Sequence, residues 1–457
     1  MRFQTVHTPT SLTEGPISQA LISFALPLLL GNLFQQLYNT ADSLIVGNFL
    51  GSEALAAVSS SGNLIFLMVG LVNGVSMGAG VVIARYFGAK DYDRIQKTIH
   101  TLLAFGLVAG ALLTVVGVVL SPVMLRLMDT PETVLPDSIS YFRTYFTGSL
   151  AFVLYNICMG ILQAVGDSRH PLQYLIISSL VNVVLDLLFV GVFHMGVWSA
   201  AAATAISQLV SMALCLLRLM RSERAYRVSL RKIRFDRRAL LEILQNGLPA
   251  GLQSVMYSLS NIIIQASVNG FGTDVMAAYT AYGKVDGMYW MVINAFGVAI
   301  TTFVGQNFGA RLYDRMKKSI NVCLGIAAAV TLLLSGVLMV VAEPLLGLFS
   351  DDAQVLEIGL SIVRLIVPTY ITCIFIEILS GAMRGAGDSL IPTIMTLTGV
   401  CLLRVFWVTV VVSAHHKLNV LLLSYPITWI VTSGMFMVYY LRGRWLKRCI
   451  ALQNAEN

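Results

Sequence analysis

Charge is scarce in this sequence. Asp, Glu, Lys and Arg together make up 12% of its 457 residues, about half of the roughly 25% that a soluble globular domain carries. Such a chain has too little polar cover for a water-facing surface, which excludes an ordinary soluble protein. Cysteines are few, and none is placed to work with another. The six (Cys158, Cys215, Cys323, Cys373, Cys401, Cys449) stand singly, without CxxC or zinc-ligand spacing. That excludes a disulfide framework, a redox pair and a structural zinc, and leaves reduced packing residues as the expectation. No G-x-x-x-x-G-K-[S/T] loop is present, so ATP is not expected to power the protein. One stretch, GVSMG at Gly74–Gly78, formally matches the G-x-S-x-G elbow of serine hydrolases. It lies inside an apolar run, where glycines four apart serve close helix packing, so no enzyme is expected. His415 and His416 are adjacent but lack further ligands nearby in sequence.

What the chain has instead is apolar length. Hydrophobic residues make up 57% of it, and runs of about 20 recur throughout, each long enough to cross a bilayer as a helix. Twelve spans are expected, beginning near Ile17, Ala54, Thr101, Ser138, Leu172, Gly196, Leu241, Val275, Ile320, Leu360, Ile391 and Asn419. The first run, Ile17 to Leu50, is far too long for a signal-peptide core. Of the 30 Lys and Arg residues, 24 fall in the N-terminus, the C-terminal tail and the loops after even-numbered spans. Only Arg126 and Lys417 fall in the opposite loops; Arg143, Lys284, Arg364 and Arg404 fall within spans. This asymmetry places both termini in the cytoplasm. It also explains the net charge of +7 as a topology signal, and nucleic acid is not an expected partner. The expected organisation is an N-terminal bundle over residues 1–219, a basic cytoplasmic linker at 220–240, a C-terminal bundle over 241–441 and a cytoplasmic tail at 442–457.

The halves are copies. GAKDYDRIQKTI (Gly88–Ile99) returns as GARLYDRMKKSI (Gly309–Ile320), and GILQAVGDSRHP (Gly160–Pro171) as GAMRGAGDSLIP (Gly381–Pro392). Arg143 and Arg364 correspond as well, and each pair is 221 residues apart. A constant offset across separate motifs indicates tandem duplication of a six-helix unit. Because six is even, both copies enter the membrane in the same sense. The expected fold is therefore an all-α polytopic membrane protein, with twelve helices in two six-helix bundles related by a pseudo-twofold along the membrane normal. In the GDS motifs, Asp or Ser is expected to cap the next helix, with Pro in its first turn.

Inside the first apolar run stands a carboxylate, Asp42 in YNTADSLIVG. It lies about six residues from the outer end, roughly 9 Å deep at 1.5 Å per residue. Asp186 lies at similar depth in the fifth span, with Asn182 one turn before it on the same face, and Thr204 enters the sixth span at the same level. Asn39 and Gln35 precede Asp42 by three and seven residues. Carboxylates in hydrocarbon are costly and usually face an internal cavity. Two carboxylates, a carboxamide and a hydroxyl make a hard-oxygen set suited to a shared proton or to Na⁺ on Asp42 and Asp186. A structural hydrogen-bonded knot is the alternative. Against it, the second copy holds Ile263 and Trp407 at the positions of Asp42 and Asp186.

The second half has its own polar set. Glu377 in span ten and Arg404 in span eleven could pair, and Lys284 and Asp286 lie inside span eight. Around them fall Tyr257, Tyr279, Tyr282, Met256, Met288, Tyr289, Trp290 and Met291. Aromatic and methionine surfaces adapt to apolar cations, although the same residues also read as core packing.

With PLLLGNLFQQLYNTADSLIVGNFLG, GAKDYDR, QAVGDSRHP and the duplication, the chain resembles the multidrug and toxic compound extrusion (MATE) family along essentially its whole length. The resemblance implies an inner-membrane bacterial antiporter that exports cationic or amphiphilic compounds against H⁺ or Na⁺, with no cofactor and acting as a monomer among membrane lipids. It makes Asp42, Asn182, Asp186 and Thr204 the coupling site and puts Gln35 and Asn156 on the cavity wall. Some members carry an acidic residue in helix seven, where this chain has Gln253, Asn261 and Gln265. That departure weakens the case for a second cation site, for which Glu377 remains a candidate. The nearest rival is a flippase for lipid-linked oligosaccharide, which shares this superfamily architecture. Its strongly basic cavity is not matched by Lys284 and Arg404 set beside Asp286 and Glu377.

Overall fold

A computed structural model describes residues 12–127, 130–222, 225–350 and 352–456, and every regular element among them is helical. Lipid offers the backbone no hydrogen-bond partner, so apolar segments close their own bonds as helices. In chain order these are α1 (Ile17–Leu50), α2 (Ser52–Ala89), α3 (Tyr92–Leu127), α4 (Leu135–Thr147), α5 (Ser149–Ala164), α6 (Arg169–Asp186), α7 (Trp198–Arg221), α8 (Arg237–Asn269) and α9 (Thr273–Gly309). There follow α10 (Tyr313–Gly347), α11 (Ala353–Ile366), α12 (Tyr370–Gly385), α13 (Leu390–Thr396), α14 (Leu403–Phe406), α15 (Leu418–Leu422), α16 (Ser424–Leu441) and α17 (Arg444–Glu456). Among the described residues, nine spans pass a length-and-hydropathy test for crossing a membrane, or ten when α4 and α5, which meet at a 46° bend, count as one. With the long helices α2 and α8, the expected twelve spans are accounted for in order.

Two spans are interrupted by three π-turns. They run over Leu187–Val192 directly after Asp186, and over Leu397–Leu402 and Trp407–Val412 on either side of α14. The repeated motifs fold alike. Lys90 and Arg311 take left-handed φ values of 58° and 59° just past the ends of α2 and α9. In the GDS loops it is Asp that caps: Asp167 Oδ1 accepts from the His170 backbone N–H at 3.2 Å, and Asp388 Oδ1 from that of Ile391 at 3.2 Å.

Two compact units form: Leu26–Gly251, and Leu12–Ala25 together with Leu252 onward. The boundary thus falls inside α1 and α8, whereas the expected boundary was the 220–240 linker, and packing gives the reason. In the first unit, Gly74 and Gly78 of α2 lie so close to α8 that a Cβ on either would come within 2.3 Å of the Cα of Gly251 or Gly247. The glycines of the hydrolase-like stretch are therefore a helix-packing seam. The linker is also a docked part of this unit. Gln96 donates to the carbonyls of Ala225 and Arg227, the Ser229 N–H donates to His100 Nε2 at 3.1 Å, and the Asp236 N–H to Thr101 Oγ1 at 3.0 Å. Glu223 and Arg224 of the linker lie outside the described residues.

In the second unit, Leu12–Ala25 is anchored where the Leu12 N–H donates to Gln306 Oε1 (3.1 Å) and Arg315 to the carbonyls of Gly15 and Glu14 (both 2.8 Å). The tail is the helix α17, with Trp445 and Cys449 buried and Arg448 paired to Asp388 at 3.2 Å. All six cysteines are buried and free of disulfides. Two basic residues expected in loops, Arg85 and Arg384, instead lie buried inside helices, Arg85 before the last turn of α2 and Arg384 in the last turn of α12.

Candidate cation and cargo sites

The first unit gathers Asp42, Asn182, Asp186 and Thr204 from α1, α6 and α7 into one buried group. Asn182 and Asp186 are fully buried, Thr204 is 7% exposed and Asp42 9%. Asn182 and Asp186, four residues apart on α6, present one face, and the Asn182 amide donates to Thr204 Oγ1 at 3.5 Å. The carboxyl groups of Asp42 and Asp186 lie within hydrogen-bonding reach of one another. Asp42 Oδ1, both Asp186 oxygens and Asn182 Oδ1 have no N–H or O–H donating to them. Burying such oxygens without a donor or cation costs several kcal/mol. The arrangement holds together when a positive species sits among them.

Toward the loop ends of the same helices an apolar cluster closes the group off. It comprises Ile45 and Val46 of α1, Val190 after α6, and Val197, Ala200 and Ala201 at the start of α7, with Tyr141 of α4 packed among them. Tyr38 and Tyr141 stand close enough to the carboxylates to interact electrostatically, Tyr145 lies beside both tyrosines, and the Tyr38 hydroxyl also bonds Gln208. These four residues were missed in the sequence. Tyr38 lies one turn before Asp42 and Gln208 one turn after Thr204, so helical spacing would have found two of them.

Not every expected coupling or cavity residue joins the group. Asn39 and Gln35 are exposed on α1, and the carbonyl of Asn39 accepts from the Ser43 hydroxyl. Asn156 is half-buried on α5, and its amide donates back to the Phe152 carbonyl at 2.8 Å.

The second unit holds a different arrangement. Asp286 accepts from the hydroxyls of Tyr282 (3.0 Å) and Tyr370, which also bond each other at 3.1 Å. Tyr370 stacks on Tyr289 with ring centroids 3.9 Å apart, and Trp429 and Tyr425 continue the aromatic wall. Tyr282 thus belongs to the Asp286 cage, whereas Met288, six residues on, is 53% exposed away from that face.

The expected pairing of Glu377 with Arg404 is not formed. Arg404, 3% exposed, lays its guanidinium 4.4 Å over the Tyr425 ring and reaches Thr428 at 3.4 Å, while its Nε has no partner. Glu377 sits against Gly297 of α9, and its charged neighbour is Arg384, seven residues on along α12. Arg404 turns to the Tyr425 ring of α16 and away from Glu377. Tyr257 lies within electrostatic range of both Glu377 and Arg404. His416 stacks on Phe271 at 4.5 Å, and among the described residues no three His, Cys, Asp or Glu side chains form a metal-binding group.

Comparison with known proteins supplies context for this geometry. The MatE family model matches twice, over residues 27–188 and 249–410. A probable multidrug resistance protein of Bacillus subtilis, YoeA, is 30% identical over 437 residues, covering 94% of both chains. A FAD transporter of Shewanella oneidensis is 28% identical over 365 residues, 78% of this chain and 79% of its own. A solved structure described as an outward-facing multidrug resistance MATE family transporter superposes with a TM-score of 0.89 at 23% identity, covering 98% of this chain and 99% of that one.

Proposed function

The chain belongs to the MatE family, and from that premise we propose that it is a secondary antiporter. It exports cationic or amphiphilic compounds in exchange for inward H⁺ or Na⁺, by alternating access. The observation that carries the coupling role is the Asp42–Asp186 pair: two carboxyl groups in mutual reach, buried, with orphan oxygens. One H⁺ or Na⁺ among them relieves their repulsion, and the neutral oxygens of Asn182 and Thr204 complete a hard set. Loading and release of that ion is the step to which cargo movement is tied. Tyr257, Tyr282, Glu377 and the aromatic wall around Asp286 are the cargo-facing candidates of the second unit, with Gln35, Asn156 and Met288 as outlying ones. Purified protein in liposomes is expected to export ethidium when a pH or Na⁺ gradient is imposed, each tested alone. Export unchanged with both gradients collapsed overturns the antiport reading and leaves a facilitator.

One observation favours a second cargo class. Arg404 is buried without an ion-pair partner among the described residues. An unpaired guanidinium beside aromatic rings suits a planar cargo that carries an anionic group, and a relative is a FAD transporter.

A further inference from the structure

The linker after α7 builds a site that neither coupling nor cargo export uses. Its backbone is fixed to α3 through Gln96, His100 and Thr101, and beside it lies a cavity of about 510 Å³ lined by Gln96, Arg227, Ser229, Leu230, Arg231 and Lys232. Arg227, Arg231 and Lys232 are exposed, and among the described residues none has a carboxylate within ion-pair distance. Held on a fixed loop, three unpaired cations around a concave space are arranged to take an anion with several oxygens, and guanidinium forks fit phosphate in particular.

A second feature identifies the source of that phosphate. Along the same loop Ile233 packs inward against the core, while Leu230 and Phe235 point out and are 53% and 51% exposed. Apolar side chains set among basic ones mark a surface that enters the headgroup layer. A soluble anion has no use for them. The basic-residue asymmetry puts this loop on the cytoplasmic side, where anionic lipid attracts Lys and Arg.

We propose that the Arg227–Phe235 segment is a binding site for the phosphate headgroup of an anionic phospholipid, with Leu230 and Phe235 resting in the acyl boundary. The test is native mass spectrometry of the purified full-length protein, titrated with phosphatidylglycerol, with phosphatidylcholine, and with inorganic phosphate as competitor. Phosphatidylglycerol is expected to be retained in preference to phosphatidylcholine and not displaced by millimolar phosphate. The R227A/R231A/K232A variant is expected to weaken that retention by at least about tenfold, and L230S/F235S to weaken it while leaving all the charges in place. R231Q/K232Q is the second charge variant, read if the triple variant does not fold; thermal unfolding in neutral lipid checks each. Equal retention of the two lipids, or wild-type retention by the charge variants, overturns the proposal. Displacement by phosphate, with L230S/F235S unchanged, also overturns it and assigns the cavity to a soluble anion.

Discussion

Arg404 shows most directly what a single side chain decides. Its guanidinium lies over Tyr425 with Nε unpartnered, and Asp286 is the carboxylate within electrostatic range of it. Arg404→Gln keeps a polar group and removes the charge. If cationic cargo is carried, this change is expected to leave ethidium export within about twofold of wild type, because no favourable contact with the cargo is lost. An anionic flavin cargo would instead lose about 1.5–3 kcal/mol of binding, the worth of a charge-assisted hydrogen bond; fluorescence titration with each compound separates the two cases. At this scale the sequence was informative where polarity stood out. Asp42, Asn182, Asp186 and Thr204 were legible because each interrupts an apolar run, and helix periodicity put two of them on one face. Tyr141 and Tyr145 were not, since aromatics four apart on a helix read equally well as core. The Glu377–Arg404 pairing failed because proximity of spans does not fix rotamers: Arg404 lies over Tyr425, and the charged neighbour of Glu377 is Arg384.

Among elements, the glycine seam of α2 and α8 is the closest backbone-to-backbone approach at any described glycine. An added Cβ at Gly78 would lie 2.3 Å from the Cα of Gly247, whereas at Gly80 it would meet nothing nearer than 3.8 Å. Gly78→Ala is therefore expected to destabilise the protein by about 1–3 kcal/mol, with Gly80→Ala near neutral, as read by thermal unfolding in detergent. The α5–α6 loop gives a pH-dependent case. Burial alone would raise the Asp167 carboxyl, but hydrogen bonds and charge from His170, with a smaller part from Arg218, hold it below the usual carboxylate range. A depressed carboxylate contributes stability above its unfolded value of about 3.9 and loses it as pH falls through the lower folded value. Asp167→Ala is expected to cost about 1 kcal/mol at pH 7, and the gap from wild type should shrink only below about pH 3.9. The caps were legible in the GDS repeats, although Ser168 proved not to be the capping side chain. The π-turns were not, because no residue type signals them; they recur near Asp186 and in α13–α14 although the carboxylate does not.

Across the whole molecule, duplication was legible because two motifs and one arginine kept a constant offset, and the twofold MatE match agrees with it. Unit boundaries were not, because they follow packing inside α1 and α8, while a basic loop only looks like a hinge. Duplication with divergence also supports the proposed coupling site: the copies share caps and interruptions, and differ where one keeps Asp42 and Asp186 and the other Ile263 and Trp407. The most direct measurement records cargo efflux and ion influx together in liposomes holding wild type or Asp42→Asn, with thermal unfolding as the folding check. The account predicts that wild type moves ion only with cargo and that the folded variant does neither under an imposed gradient. Gradient-driven export by the variant at the wild-type rate would contradict it.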